Sequence, residues 1–238
     1  MDENFRNKES ATAPAKDEND IVARIHRITV TVLLLIMAVE LPFLVYEGIW
    51  LSVCLVVMLM ALTMTPILLH RRLPVNIPPE IQAFTIVFAF AAVFLGEVRM
   101  FYERIWWWDI ALHFNSGMLL GLLGFLLVFI LNEDERIDVH LHPQFVAFFS
   151  FLFAVAMGAI WEIFEFSMDQ LFGTNMQKPM RGDLSGLTDT MWDLIVDTLG
   201  ALGVSLLGWR YMKQRKRSFI ETLVQRFVEK NPRFFAPR

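Results

Sequence analysis

The sequence predicts an all-α, polytopic membrane bundle of about six transmembrane helices with both termini in the cytoplasm. Three observations carry this expectation. The chain is 55% hydrophobic and only 19% charged over 238 residues, whereas a soluble domain holds about 25% charged side chains. Its mean hydropathy is +0.47. Six stretches approach the roughly 20 apolar residues that a helix needs to cross a bilayer. A soluble cytoplasmic enzyme and a secreted one are both excluded on these grounds.

The charge is unevenly distributed. Residues 1–20 hold three basic and six acidic side chains, residues 210–238 nine basic and two acidic, leaving nine basic and seventeen acidic in the apolar stretch 21–209. The opening 20 residues are polar and Ala/Pro-containing, lack an apolar h-region, and read as a disordered cytoplasmic tail, with the N-terminal region taken as 1–27. The single Cys54 excludes an internal disulfide framework and any multi-cysteine metal or iron–sulfur site. No nucleotide-binding or nucleic-acid-binding motif is apparent.

The spans fall at Ile28–Tyr46, Ile49–Leu69, Ile81–Val98, Trp106–Leu131, Phe145–Met168 and Leu187–Trp209, giving a six-helix domain over 28–209. Leu, Ile, Phe and Met in long runs favour helices over barrel strands, which alternate in pieces of about ten residues. Pro42 lies within the first span, where a missing N–H favours a kink. The short Glu47-Gly48 turn makes the first two helices an antiparallel hairpin. Arg24, Arg27, Arg71, Arg72, Arg136, Arg210, Lys213, Arg215, Lys216 and Arg217 would flank one side, against Arg99, Arg104, Lys178 and Arg181 on the other. That asymmetry places the termini inside. Past the last span, Phe219, Ile220, Leu223, Val224, Phe227 and Val228 recur at helical spacing, so 210–238 reads as a basic amphipathic tail.

Acids inside apolar spans are the anomaly. Asp109 and His113 are four residues apart on the fourth span, with Ser116 further along the same face. Glu162, Glu165 and Asp169 form one stripe near the end of the fifth. Asp189, Asp193 and Asp197 step by four at the start of the sixth. With the N-terminus inside, all three stripes fall in the outer half of the membrane. No Lys or Arg lies within these spans, and each charge at the bilayer centre costs at least about 2.5–3.5 kcal/mol on insertion scales. Either several carboxylates are protonated, or a divalent cation sits among them. Carboxylate oxygens with one imidazole suit Mg²⁺, Mn²⁺ or Fe²⁺. The candidate metal ligands are Asp109, His113, Glu162, Asp193 and Asp197, with His113 read as ligand or proton carrier. Glu165 is the candidate general base. Asp169 and Asp189 read as water-exposed residues at helix ends, Asp189 as an N-cap. Lys178 and Arg181, in the loop joining the last two spans, are candidates to hold an anionic headgroup, and the loop's glycines would permit a lid movement.

The segments Trp108-Asp109-Ile110-Ala111-Leu112-His113, Trp161-Glu162-Ile163-Phe164-Glu165 and Thr188-Asp189-Thr190-Met191-Trp192-Asp193-Leu194, with Asp197 and Gly200-Ala201, resemble the signature of a bacterial inner-membrane family of the YjdF type over about 28–210. More distantly they resemble the VanZ-like membrane proteins, which set an Asp and His on one span, a Glu on the next and an Asp before a small-residue turn on the last. The resemblance implies a polytopic protein of the bacterial inner membrane. The VanZ-like association with glycopeptide-antibiotic tolerance points to cell-envelope lipid or glycan chemistry, although Glu165, Asp169 and Asp197 are additions to that pattern. Three functions follow as expectations: metal-assisted chemistry on an amphiphilic, lipid-linked phosphate; a proton- or cation-coupled transporter; or a structural or sensory protein with a bound cation.

Overall fold

The computed structural model describes residues 16–69, 76–133, 141–178, 180, 182–214 and 226–231. Among them every regular element is helical. Helix α1 is Lys16–Glu47 and α2 is Trp50–Leu69. Helix α3, Pro79–Ala89, continues without a break as a π-helical stretch, Phe90–Val98. A single turn, α4 (Phe101–Arg104), leads to α5 (Trp108–Glu133), α6 (Pro143–Phe172) and α7 (Leu187–Gln214). Five helices are long and apolar enough to cross a membrane, and Trp50–Thr65 is a shorter apolar one. The protein is therefore a polytopic helical membrane bundle.

Several boundaries follow local chemistry. Pro79 and Pro143 stand at helix starts, where the missing N–H would have no intrahelical partner. Gly173 ends α6 in the left-handed region at φ +64°, a conformation that costs glycine nothing. The Asp183 carboxylate accepts from the backbone and hydroxyl of Ser185 at 2.8 and 2.7 Å, and of Thr188 at 2.9 and 2.8 Å. These bonds hold its carboxyl well below the usual carboxylate range and tie down the entry to α7. Pro42 lies inside α1, which carries on past it to Glu47.

Two points differ from the sequence reading. Helix α1 begins at Lys16 rather than Ile28, so 16–27, expected in the N-terminal tail, is helical. In the C-terminal stretch, residues 226–230 are helical and Phe227 is 4% exposed, packed into protein rather than presented to a lipid surface. Val228 is partly buried beside it, and the remaining apolar positions of that expected amphipathic face, within 219–224, lie outside the described residues.

The helices form two groups. Helices α5, α6 and α7 pack most extensively against one another, and α1, α2 and α3 with its π-helical extension form the second group. One apolar cluster centres on Met37, Leu44, Val56, Leu59, Phe90 and Phe94. The other joins Ile81 of α3 to Phe125 of α5, Val146 of α6 and Phe227. Outward faces stay apolar: Ile28, Val32, Leu35, Val39 and Phe43 are exposed along α1. This is the surface of a protein whose solvent is hydrocarbon.

Small residues set the spacing of α5 against α7. A Cβ on Gly117 would run into the backbone carbonyl of Asp197, and one on Gly200 into the carbonyl of Phe114. Gly117 and Gly121 are four residues apart on one face of α5, the small-xxx-small arrangement that lets membrane helices approach closely where no hydrophobic force drives them together. A Cβ on Gly158 of α6 would stand 2.8 Å from Asp197 Oδ2, so the same approach leaves room for that carboxylate alone.

Candidate functional site

The close approach of α5 and α7 puts an imidazole among carboxylates. His113, 8% exposed, has Nδ1 3.3 Å from Asp197 Oδ2 and 3.8 Å from Glu162 Oε1. On the other side of the ring, Nε2 lies 3.6 Å from Asp109 Oδ1 and 3.9 Å from Asp193 Oδ2. The stripes of α5, α6 and α7 thus meet at one end of the bundle. Glu162 lies ten residues before the end of α6, and His113 and Asp193 five or six after the starts of α5 and α7. At 1.5 Å per residue these are depths of roughly 8–15 Å.

Each of the five candidate ligands stands in this cluster, and they are not equivalent. Asp109, His113 and Asp193 can each offer one atom, the three lying within 4.8 Å of one another. Asp197 is engaged on both oxygens: Ser116 Oγ donates to Oδ1 at 2.5 Å while Oδ2 faces His113 Nδ1. With the proton on Nδ1, that contact turns the Nε2 lone pair towards Asp109 and Asp193. An imidazole braced by a carboxylate in this way is the usual support for a metal-ligating histidine. Asp193 is fully buried and neither of its oxygens has a hydrogen-bond partner; Glu162, 4% exposed, is in the same state. The Thr190 hydroxyl faces Glu162 outside hydrogen-bonding geometry, and itself accepts from Gln177 Nε2 at 2.8 Å. Buried carboxylates without donors incur a desolvation cost of several kcal/mol each unless a cation or a proton compensates them.

Glu165 is also buried, one turn from Glu162, and accepts the indole N–H of Trp161 at 2.9 Å. Lys178 does not reach into the carboxylates. Its ammonium donates to the Asn175 carbonyl at 2.7 Å, pairs with Glu97 at 3.4 Å and lies over the Tyr102 ring, while its backbone N–H donates to Asp189 Oδ2 at 2.6 Å. Burial, then the charges of Asp109 and Glu97, push the Tyr102 phenol well above its ordinary range, so it stays neutral. Arg181 lies outside the described residues.

One expectation at the helix ends changes. Asp189 is not a water-exposed cap: it is 1% exposed, held by the Lys178 amide on one oxygen and without a partner on the other. Its four-residue step from Asp193 was the available signal, and it outweighs the cap-like sequence context. Asp169 is a loop organiser, accepting from Thr174 Oγ1 at 2.6 Å and from the Met176 and Gln177 amides at 2.8 and 2.9 Å. With the Asp183 bonds and the Lys178 amide on Asp189, it ties residues 174–178 and 183–188 to the ends of α6 and α7. Ser116, which anchors Asp197, was visible only as a helical neighbour of His113.

Membrane-crossing helices gathered around a buried histidine–carboxylate cluster define the class of molecule: an integral membrane protein with an intramembrane polar site. Residues 26–214 match the family described as "Predicted membrane protein (DUF2238)", and the chain belongs to that family. A Thermotoga maritima protein described as "Uncharacterized protein" is 34% identical over 136 residues, 55% of this chain; the match spans 65% of that relative's own length. No solved structure matches the chain.

Proposed function

We infer that this protein holds a divalent cation between α5 and α7 and uses it on an amphiphile of the bacterial cell envelope, in the inner membrane. The observation that carries the reading is the set of Asp109, His113 and Asp193 atoms within 4.8 Å of one another in a buried site. Oxygen donors with one imidazole favour Mg²⁺, Mn²⁺ or Fe²⁺. His113 Nε2 and the two aspartates bind; Asp197 orients the ring from Nδ1; Glu162 adds charge from α6. A bound divalent cation would supply Lewis-acid polarisation of a phosphoryl or carbonyl oxygen. Glu165, one turn outside the cation's immediate neighbours, is placed to take or return a proton. A lipid-linked phosphate fits the chemistry, since its anionic head would face the cation, with Lys178 at the mouth, while its tail stays in the bilayer. The distant VanZ-like resemblance, with its tie to the envelope, supports the same substrate class.

Elemental analysis of protein purified in detergent, with and without exhaustive chelation, tests this. One cation per chain, lost in His113→Gln and Asp193→Asn, is expected. Complete absence of metal would favour the second reading, a proton- or cation-coupled transporter, which rests on the carboxylates flanking both ring nitrogens of His113. That arrangement also suits an imidazolium that carries the transported or coupling proton. Bound metal without turnover on any lipid substrate would leave a structural or sensory cation site.

A further inference from the structure

At the end of the bundle away from the acidic cluster, a short piece of the C-terminal region is built into the fold. Phe227, 4% exposed, sits with Ile81 of α3, Phe125 of α5 and Val146 of α6, and so touches both helix groups. The preceding Arg226, 5% exposed, pairs with Glu80 in the first turn of α3. Asn231, 2% exposed, closes a reciprocal lock on the strand of chain before α3. Its Oδ1 accepts the Asn76 amide at 2.6 Å, and its Nδ2 donates to the Asn76 carbonyl at 2.8 Å and to the Phe227 carbonyl at 2.7 Å. The Asn76 side chain donates back to the Lys230 carbonyl at 3.0 Å.

We propose that residues 226–231 are a clasp that closes the end of the bundle opposite the acidic cluster and holds α3 against α5 and α6. Three features support a device rather than an incidental contact. The apolar plug, the ion pair and the paired amide each engage a different point on or just before α3. The segment lies beyond 26–214, the part matched by the family, yet it fills the core of that part. Among the described residues the two helix groups otherwise meet through α3, its π-helical extension and α4 against α5, and through the Lys178–Glu97 pair. Their seam contains a groove of about 240 Å³ lined by Phe84, Val87, Phe88, Trp108, Ala111 and Leu112 among others. Opening the clasp therefore frees α3 to move along the seam.

The test uses the full chain in detergent with Cys54→Ser, so that one introduced thiol reports. Phe227→Cys should react with a water-soluble maleimide at least about tenfold more slowly than Lys213→Cys, which stands exposed near the end of α7. Adding Asn231→Ala should raise the rate at position 227 about tenfold, because two backbone groups at Asn76 lose their partner. Since Phe227→Cys itself weakens the plug, the unaltered chain is also digested briefly with trypsin. Cleavage after Arg226 should trail cleavage after Lys213 and accelerate in Asn231→Ala. Equal labelling at 227 and 213, or a rate at 227 indifferent to Asn231→Ala, overturns the clasp. So does early tryptic cleavage after Arg226 in the native chain.

Discussion

Asp197 and Asp169 are both carboxylates on apolar helices, yet their partners give them different work. Asp197 lies in the notch that Gly158 leaves open, bonded to Ser116 and facing the His113 ring. Its replacement by Asn keeps the shape and loses the charge that orients the imidazole. Cation affinity should fall about 10–100-fold, the usual effect of removing a carboxylate behind a metal-bound histidine, measured by competition with a fluorescent chelator. An unchanged affinity would remove Asp197 from the site. Asp169 accepts three hydrogen bonds from the 174–177 loop. Asp169→Ala should therefore lower stability by about 0.5–1.5 kcal/mol, since water can reach the partly exposed donors that lose their acceptor, while metal content stays the same. Metal loss in that variant with an unaltered melting curve would contradict the assignment.

At the scale of elements, the α5–α7 pair is set by glycines, and the two contact faces respond differently to one added methyl. Gly117→Ala and Gly200→Ala each force a Cβ into a facing carbonyl, whereas Gly203 has nothing within 4 Å. Overpacking of this kind costs about 1–3 kcal/mol; Gly203→Ala should be neutral or stabilising by about 1 kcal/mol, the helix-propensity difference. Denaturant melts in detergent separate them, and equal effects at all three positions would mean that close approach is not what these glycines provide. The entry to α7 depends on Asp183, whose carboxyl is held below its ordinary range by Ser185 and Thr188. A depressed folded-state pKa stabilises above the unfolded value of about 3.9. The contribution is lost as pH falls from there towards the folded value. The melting-temperature gap between the native chain and Asp183→Ala should be present at pH 7 and shrink below about pH 4. A gap that widens on acidification would reverse the sign of this argument.

For the whole molecule, the two tests concern orientation and ion loading. Positive side chains gather beside the chain ends and between α2 and α3 in the sequence, so both termini are expected in the cytoplasm and the acidic cluster on the periplasmic side. A reporter fused at Arg238 that is active only in the periplasm would reverse the orientation and turn the cluster to face the cytoplasm. An ion bound only by the folded state stabilises it by mass action. Chelation should therefore lower the melting temperature, and re-addition of Mn²⁺ or Mg²⁺ should restore it. A melting temperature that ignores chelator would favour carboxylates compensated by protons.

What the sequence determined by itself was the class of fold and the composition of the polar centre. Length and apolarity of the runs define the helices, because only helices satisfy every backbone group within one segment in hydrocarbon. The four-residue steps of Asp189, Asp193 and Asp197 and of Asp109 and His113 define faces, because 3.6 residues make a turn. What only the tertiary structure decided was how those faces meet. Asp197 takes the Ser116 hydroxyl and faces His113 Nδ1, and Asp189 is buried under the Lys178 amide instead of standing exposed as a cap. Phe227 read as part of a membrane-surface face, but Asn76 and Glu80, some 150 residues away in sequence, hold its segment in the core. Periodicity reports which side chains share a face of their own helix; it carries no information about partners supplied by distant segments. For Asp197 those partners depend on the backbone approach that Gly117, Gly158 and Gly200 permit.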